Sequence, residues 1–556
     1  MKRINIYILL AALAFTTTSC NDFLDTKPKD AMSPGTAWKT EEDVEKFLVG
    51  VYDGWQSGST TLYLDCASDI GYNNFEWEGY KLLGNGTLTQ ANPGADFYGY
   101  TTIRRVNELL ANIDKVPYNS DQVKKDVIAQ ARVIRAHKYF ILNWMYGGVP
   151  IIGLPLTADE AKVARKSEAE VREFIAKELD EAILDINVEP TKLGRLAKGT
   201  ALAIRMREAL YYGDWQLAKD KAQEIIDLGQ YDLDPSYENL FRINNKNSKE
   251  IIAASQYIPV THALGVIGQM YNNGASGWSS IVPTQNLVDM YEMKSGLTKS
   301  EPGSGYDPEH PFANRDPRMT MTVYYPGSNF INDKNIVTVF NTLDKMVPDA
   351  SGDKEVANPD YYNGQDNASK TGLTWAKYLN PITQYNATGI WDTEASPIVY
   401  RYAEVLLTYA EAENELNGPS ADVYAKLNQI RNRVGMPDVD TNKYNTKETL
   451  RELIQRERTI EFAGEGLRRA DILRWKTADG KMLAETVLNG TLERLVGEVS
   501  NDLSIDPEYR AKITVDATPQ EKKIEDRKFL PHNRYLPFSQ NAMDKNGLLE
   551  QNKGYQ

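Results

Sequence analysis

Apolar residues recur every three or four positions in several separated blocks of the chain, and this spacing predicts amphipathic helices. The spacing is clearest in four stripes: Ile103, Val106, Leu110 and Ile113; Val127, Ala131, Ile134, Ile141 and Met145; Val399, Tyr402, Leu406, Tyr409 and Leu416; and Val423, Leu427, Ile430 and Val434. Lys138 interrupts the second stripe and is expected to point to solvent. Each stripe should turn one apolar face toward a neighbouring element.

Two segments have the pattern of a helix, a tight turn and a second helix. In the first, Gly213 can adopt the left-handed conformation that ends a helix, and Asp214 can cap the next one. In the second, Gly418 and Ser420 are placed in the same way. Each pair spans roughly 30 to 37 residues, close to the 34-residue tetratricopeptide period, although unrelated helical hairpins share this signature.

Two long stretches lack any sustained period. Residues 57–96 and 231–397 are rich in Gly, Pro, Asn and Tyr, and such long loops are uncommon unless they carry function. We therefore predict ordered, loop-rich insertions on a helical scaffold, with short β-hairpins near residues 320–325 and 335–340. The predicted organisation is a mainly α single domain over residues 41–556, whose scaffold lies mainly in residues 41–56, 97–230 and 398–476 and whose C-terminal segment is 477–556.

Composition and charge exclude several classes of protein. The net charge is −14, whereas a nucleic-acid-binding protein normally has a basic surface. Two cysteines cannot form a disulfide framework, and four scattered histidines have no metal-ligand spacing. The alternating acids from Asp349 to Glu355 resemble the start of a calcium loop but lack its sixth-position glycine. We predict a solvated turn there, with calcium as the alternative, and no cofactor.

The N-terminus has the pattern of an export signal. Lys2 and Arg3 precede an apolar run of about 12 residues, which is too short to cross a bilayer of about 30 Å. Cys20 follows the run, as in a bacterial lipoprotein signal over residues 1–19, although Thr17 stands where leucine is preferred. An ordinary secretory signal with a chance cysteine is the alternative. If Cys20 is lipidated, residues 20–40 form a flexible, lipid-anchored segment.

Several blocks of sequence resemble the SusD/RagB family of outer-membrane nutrient-binding lipoproteins. The blocks are residues 132–150, 401–415, 430–435, 452–475 and 536–555. Phe538 and Lys553 depart from the family pattern, which has isoleucine and proline there. With the lipoprotein-like start, the resemblance spans nearly the whole chain.

The resemblance implies a fold, a location and a role. Family members carry about four tetratricopeptide-like helix pairs, are lipid-anchored at the cell exterior on the outer membrane, and cover a TonB-dependent, SusC-like transporter. Most capture oligosaccharides, a minority capture peptides or other nutrients, and they are not enzymes. For this chain it implies lipidation at Cys20, membrane contact through the lipid anchor and a glycan ligand.

Aromatic residues concentrate where such a ligand is expected to bind. Residues 52–100 and 231–402 hold 20 of the 32 tyrosines and five of the nine tryptophans. Sugars need flat rings for their C–H faces and amides or carboxylates for their hydroxyls. In glycan-binding relatives, two tryptophans about two hundred residues apart form an aromatic arc, and Trp77 and Trp278 are similarly placed. Tyr306 is the third candidate.

Polar partners are expected beside Trp77, in the densest aromatic cluster of the chain. They are Asp69, Tyr72, Asn73 and Asn74. Outside that cluster, further aromatic candidates are Trp375, Trp391, Tyr361 and Tyr362. For every ring, the competing interpretation is packing of its own loop onto the scaffold.

Two other functions compete with glycan capture. A peptide-capturing protein of the same architecture is disfavoured by the acidic loops. A surface glycoside hydrolase needs a carboxyl group that stays protonated, but Glu457, Glu461 and Glu465 are interleaved with Arg458, Arg468 and Arg474. Paired arginines would keep the acids ionised, so a scaffold network is predicted instead.

Overall fold

The apolar stripes form helices in the computed structural model of the protein, which describes residues 38–157, 159–349, 352–385 and 389–555. The α-helices are α1 Glu41–Tyr52, α2 Gly58–Tyr63, α3 Tyr80–Asn85, α4 Thr101–Asn112, α5 Asp121–Tyr146, α6 Glu168–Asp185, α7 Lys198–Tyr211, α8 Trp215–Asp227, α9 Val266–Met270, α10 Gln285–Met290, α11 Pro317–Thr322, α12 Tyr402–Asn417, α13 Ala421–Arg433, α14 Lys447–Glu461, α15 Arg468–Arg474, α16 Ala484–Val487, α17 Pro507–Arg510, α18 Pro519–Lys522 and α19 Gln540–Lys545.

The long helices pack in pairs and form the scaffold. Helix α1 packs on α4, α5 on α6, α7 on α8, and α12 on α13, and contacts between α8 and α12 join the last two pairs. The mainly helical fold with paired helices is therefore confirmed. Lys138 differs from expectation, because it is half-buried on α5 and burial lowers the pKa of its ammonium group.

Both predicted turns have the caps that the sequence indicated. Gly213 has a φ of +76°, and the Asp214 carboxylate accepts a hydrogen bond from the Leu217 amide at the start of α8. Gly418 has a φ of +81°, and the Ser420 hydroxyl accepts from the Val423 amide at the start of α13. The helices end at these glycines because glycine adopts a positive φ easily, whereas any other residue would be strained there.

The strands are short and pair two by two. They are β1 Gly71–Asn73, β2 Ile251–Ala254, β3 Ile281–Pro283, β4 Val323–Tyr324, β5 Asn329–Ile331, β6 Val337–Val339, β7 Met346–Pro348, β8 Glu355–Ala357, β9 Thr374–Trp375, β10 Ile398–Arg401, β11 Asn489–Glu493, β12 Gly497–Val499, β13 Ala511–Ile513 and β14 Lys523–Lys528. The antiparallel pairs are β1–β3, β2–β10, β4–β9, β5–β6, β7–β8, β11–β14 and β12–β13.

One predicted hairpin is confirmed and one is wrong. Residues 335–340 contain β6, which pairs with β5 as a hairpin. Residues 320–325 instead contain the end of α11 followed by β4, which pairs with the distant β9. The local alternation of residues was right for a strand, but the partner strand is non-local and has no signal in the surrounding sequence.

Buried ion pairs fasten the 231–397 insertion to the scaffold. Arg318 of α11 binds Glu457 and Glu461 of α14 at 2.9 and 3.1 Å, and Lys377 binds Glu465 at 2.6 Å. Arg401 at the end of β10 also binds Glu461, at 2.8 Å. We call this set, completed by Arg431 and Arg433, the ion-pair network. The three acids belong to a scaffold network, as predicted, but the expected partners are wrong. Arg458 and Arg474 bind Glu411 and Asp471 instead, and Arg468 binds Asp69.

The ion-pair network keeps its carboxylates ionised. Burial by itself raises the pKa of the Glu461 carboxyl, but the guanidinium groups of Arg433, Arg401 and Arg318 outweigh it and hold that pKa far below its ordinary value. The pKa values of Glu457 and Glu465 are also lowered, because the paired cations outweigh the effect of burial, which alone would raise them.

The export signal and Cys20 lie outside the described residues, so both stay predictions. Within the described ranges, no helix combines the length and the apolar character needed to cross a membrane. Cys66 is a buried free thiol whose pKa is raised by burial.

Candidate functional site

Four aromatic side chains meet at the surface and form what we call the aromatic cluster: Phe75, Trp77, Trp278 and Trp391. The Trp77 ring centroid lies 5.7 Å from that of Phe75 and 6.3 Å from that of Trp278, which it meets edge-on at 73°. Trp278 lies 4.9 Å from Trp391 with the planes tilted by 59°. Trp77 is 71% exposed, and Trp278 and Trp391 are each 37% exposed. Contiguous exposed apolar surface of this kind is typical of an interaction or ligand-binding site.

Trp77 stands on a tight 3₁₀ turn, Glu76–Glu78, directly after β1. Strand β1 pairs with β3, and the Asn74 amide extends this pairing by donating to the Ser280 carbonyl at 2.9 Å. The Asn73 side-chain amide donates to the Ser280 carbonyl at 3.0 Å and to the Glu78 carboxylate at 2.5 Å. The segment that carries Trp77 is therefore fixed to the segment that follows Trp278.

Trp278 belongs to a strained loop. Ser276 and Ser279 have φ values of +64° and +45°, a region that costs a non-glycine residue of order 1 kcal/mol or more. Asp360 supports the loop, because its carboxylate accepts from the Asn272 side chain at 2.6 Å and from the Gly274 amide at 2.9 Å. Burial raises the pKa of Asp360, and these hydrogen bonds oppose the shift.

Trp391 completes the cluster by lying over Gly268 in α9. A methyl group at Gly268 would overlap the indole of Trp391, so only glycine permits this approach. The indole N–H donates to the Ser276 carbonyl at 3.3 Å, and the Trp278 amide donates to the Gly268 carbonyl at 3.1 Å. The three ring-bearing segments are thus held together largely through main-chain atoms.

Three of the predicted polar partners are buried, and the expectation that they contact a ligand is corrected by their position. Asp69 is 1% exposed and forms a two-pronged ion pair with Arg468, with both N–O distances at 2.8 Å. Tyr72 packs against Val282 and Leu492. Asn73 is fully buried in the hydrogen bonds described above. These buried contacts hold in place the loop that presents Trp77.

Asn74 and Tyr306 are half-buried, and neither belongs to the aromatic cluster. The Asn74 side chain donates to the Ala368 carbonyl at 2.9 Å. Tyr306 packs beneath the cations of Lys299 and Arg315, each 5.6 Å from its ring centroid. The structure therefore brings Trp77 and Trp278 together without Tyr306.

Of the candidates outside the Trp77 segment, only Trp391 joins the cluster. Trp375 is buried in a hydrophobic cluster built mostly from residues of the 231–397 insertion itself. Tyr361 and Tyr362 pack on each other at 4.8 Å, and Arg494 covers Tyr362. Phe75 was missed by sequence reasoning, although its place two residues before Trp77 on the same extended turn was a usable signal.

The Glu78 carboxylate directly follows Trp77 and is held by hydrogen bonds. It accepts from Asn73 and, at 3.4 Å, from Gln269. Burial raises the pKa of Glu78, against hydrogen bonds from Asn73 and Tyr63. The predicted solvated turn at Asp349 lies partly outside the described residues, so calcium there stays untested.

Two family models match the chain and together cover most of it. The model described as "SusD family" matches residues 234–555. The model described as "Starch-binding associating with outer membrane" matches residues 22–207.

The chain is similar to known proteins over nearly the whole length of each. SusD-like protein P25 of Formosa agariphila is 26% identical over 498 residues, which cover 85% of this chain and 90% of that one. A SusD-like carbohydrate-binding protein of Bacteroides fragilis has a solved structure that superposes with a TM-score of 0.77 at 27% identity, covering 93% and 100% of the two chains. A laminarin-binding SusD-like protein, at 21% identity and a TM-score of 0.67 over 93% and 100% of the chains, shares the fold.

Proposed function

Because the chain belongs to the SusD family, we propose that it captures glycans at the outer membrane and that the aromatic cluster is where they bind. The observation that carries the proposal is the exposed contact between Trp77 and Trp278, formed by two segments far apart in sequence. Rings of this kind offer flat apolar faces to the C–H faces of sugars. The similar Bacteroides fragilis protein, described as carbohydrate-binding, supports the same role.

We further propose that the bound glycan passes to a TonB-dependent, SusC-like transporter. Lipidation of Cys20 would hold the protein on the outer face of the outer membrane, in line with the family description that mentions association with that membrane. Capture ahead of a transporter needs only a modest affinity, about 1 µM to 1 mM, which is about −8 to −4 kcal/mol.

The protein is proposed to bind without catalysis. Hydrolysis of a glycosidic bond needs one carboxyl that is protonated and one that is ionised. The closely spaced acids of the ion-pair network are all held ionised by arginines, and they are buried beneath the insertion. They are therefore poor candidates for an acid and base pair.

The decisive experiment is binding of a glycan panel by isothermal titration calorimetry and affinity electrophoresis. The panel should hold laminarin, starch, xyloglucan, galactomannan, host mucin glycans, sulfated glycans and uronic-acid glycans, with mixed peptides as a separate arm. We expect a glycan to bind and to remain undegraded. Binding of peptides alone would overturn the proposal in favour of the peptide-capturing alternative, and release of sugar products would overturn the absence of catalysis.

A further inference from the structure

We propose that the aromatic cluster selects uncharged glycans and rejects chains whose contacting sugars carry sulfate or carboxylate groups. This inference rests on the proposed function and adds the class of substrate. The observation behind it is the charge of the three segments that bear the four rings.

The ring-bearing segments carry acids and no fixed cation. Residues 71–80, 257–280 and 381–397 contain no lysine or arginine. They contain four acidic residues: Glu76, Glu78, Asp392 and Glu394. Glu76 and Glu78 flank Trp77 on both sides, and Asp392 directly follows Trp391. Asp360 adds a fifth carboxylate beneath the Trp278 loop.

Two lysines close to these segments already have partners. Lys81 lies 5.4 Å from the centroid of the Tyr72 ring and is attracted by the Glu76 carboxylate, and Lys246 binds Glu394 at 2.7 Å. Among the described residues, lysines and arginines lie over many tyrosines and phenylalanines, but none lies over the rings of the aromatic cluster. An anionic sugar stacked on these rings would therefore find no guanidinium or ammonium group over them to replace the water that it loses.

Two kinds of repulsion act on an anion at this surface. The carboxylates beside Trp77 repel it directly, and the π faces of the indoles are themselves negative. The C–H face of an uncharged sugar suffers neither. A cation enclosed between the rings is not favoured, because an aromatic cage must leave a gap, whereas these rings touch at 4.9 to 6.3 Å between centroids.

The test compares one backbone in two charge states. Laminarin, dextran and xyloglucan are each compared with their sulfated or carboxymethylated derivatives by calorimetry, with the purified wild-type protein. For any backbone that binds, we expect the anionic derivative to bind at least about tenfold more weakly. Raising NaCl from about 10 mM to 500 mM should narrow this gap, because salt screens repulsion but does not restore lost hydroxyl contacts.

A charge change beside the rings checks the cause. Glu76→Gln should reduce the ratio of neutral to anionic affinity by about threefold, and Glu76→Lys should reduce it further. Glu448 is the matched control: it is exposed on α14, and Glu448→Gln and Glu448→Lys change the net charge equally without altering the ratio.

The outcomes separate the two proposals. An anionic glycan as the strongest ligand, or a ratio that is the same in the Glu76 variants and the wild type, overturns the charge selection and leaves glycan capture standing. Absence of binding to every glycan, charged or not, overturns the proposed function itself.

Discussion

Trp77 meets Trp278 edge to face, with ring centroids 6.3 Å apart and planes at 73°, although one ring follows β1 and the other precedes β3. The pairing of these two strands brings the rings together, so the contact is a product of the fold and not of either loop alone. Because the planes are so far from parallel, a glycan cannot lie flat on both rings at once.

Removing either tryptophan should weaken glycan binding. Trp77→Ala and Trp278→Ala each delete an exposed apolar face, and we expect a loss of about tenfold in affinity, or about 1.4 kcal/mol, for whichever glycan binds. Calorimetry on that glycan measures the effect. Tyr509→Ala is the control, since Tyr509 is 44% exposed and its ring packs on His310, outside the cluster. Equal affinity in the wild type and both tryptophan variants would move the site elsewhere.

Gly268→Ala should weaken binding although all four aromatic residues of the cluster are kept. The added methyl group overlaps the indole of Trp391 and must displace it from Trp278. We expect affinity to fall by about threefold or more, since packed rings cannot absorb an added methyl group in place. Intrinsic tryptophan fluorescence should change in parallel.

Gly50→Ala supplies the comparison for that variant. Gly50 lies in α1, and a methyl group there meets no atom within 4 Å. Alanine in a helix is more favourable than glycine by about 1 kcal/mol, so stability should rise slightly and binding should stay the same. If Gly268→Ala bound glycan as tightly as Gly50→Ala, Trp391 would not take part in the site.

Asp69→Ala should cost stability rather than act on a ligand. Without Asp69 the Arg468 guanidinium stays buried and loses its two-pronged partner, which costs about 3–5 kcal/mol. Chemical unfolding measures this loss, and Asp53→Ala, which breaks an exposed pair with Arg105, should cost far less. An Asp69 variant with wild-type stability and abolished binding would restore Asp69 as a contact residue.

Acid should destabilise the protein through the ion-pair network. The pKa values of Glu457, Glu461 and Glu465 are lowered in the folded state, against an ordinary value of 4.5. Their stabilising effect is therefore complete above about pH 4.5 and is lost as the pH falls below it. Denaturant midpoints measured from pH 7 to pH 3 should decline, and more steeply below about pH 4.5.

Glu461→Gln tests the source of that decline. The variant should be less stable at pH 7 and should show a shallower loss of stability in acid. Glu448→Gln, an exposed change on the same helix, should follow the wild type. A midpoint that stays level down to pH 3 in the wild type would contradict the role of the network.

Sequence alone predicted the scaffold and part of the site. The caps at Gly213, Asp214 and Ser420 were predictable because capping is local chemistry between residues three or four apart. Trp77 and Trp278 were placed by the family resemblance and by their loop-rich surroundings, and the structure puts their rings in contact.

The remainder depended on non-local pairing. Asp69 and Asn73 look like ligand contacts in sequence, because polar residues beside tryptophan are typical of sugar sites, and only the fold shows that Arg468 and Ser280 occupy them. Trp391 had no local signal for its approach to Gly268, since this approach depends on the bridge between Leu264 and Thr393.

Main-chain hydrogen bonds hold the ring-bearing segments together, and this has an evolutionary consequence. The bonds from the Asn74 amide to Ser280, from the Trp278 amide to Gly268 and from the Leu264 amide to Thr393 use peptide groups that every residue except proline carries. Side chains at the surface can therefore mutate while the frame that spaces them persists. Glycan specificity can in this way change through substitution of one aromatic residue at a time, while the fold that positions these residues stays the same.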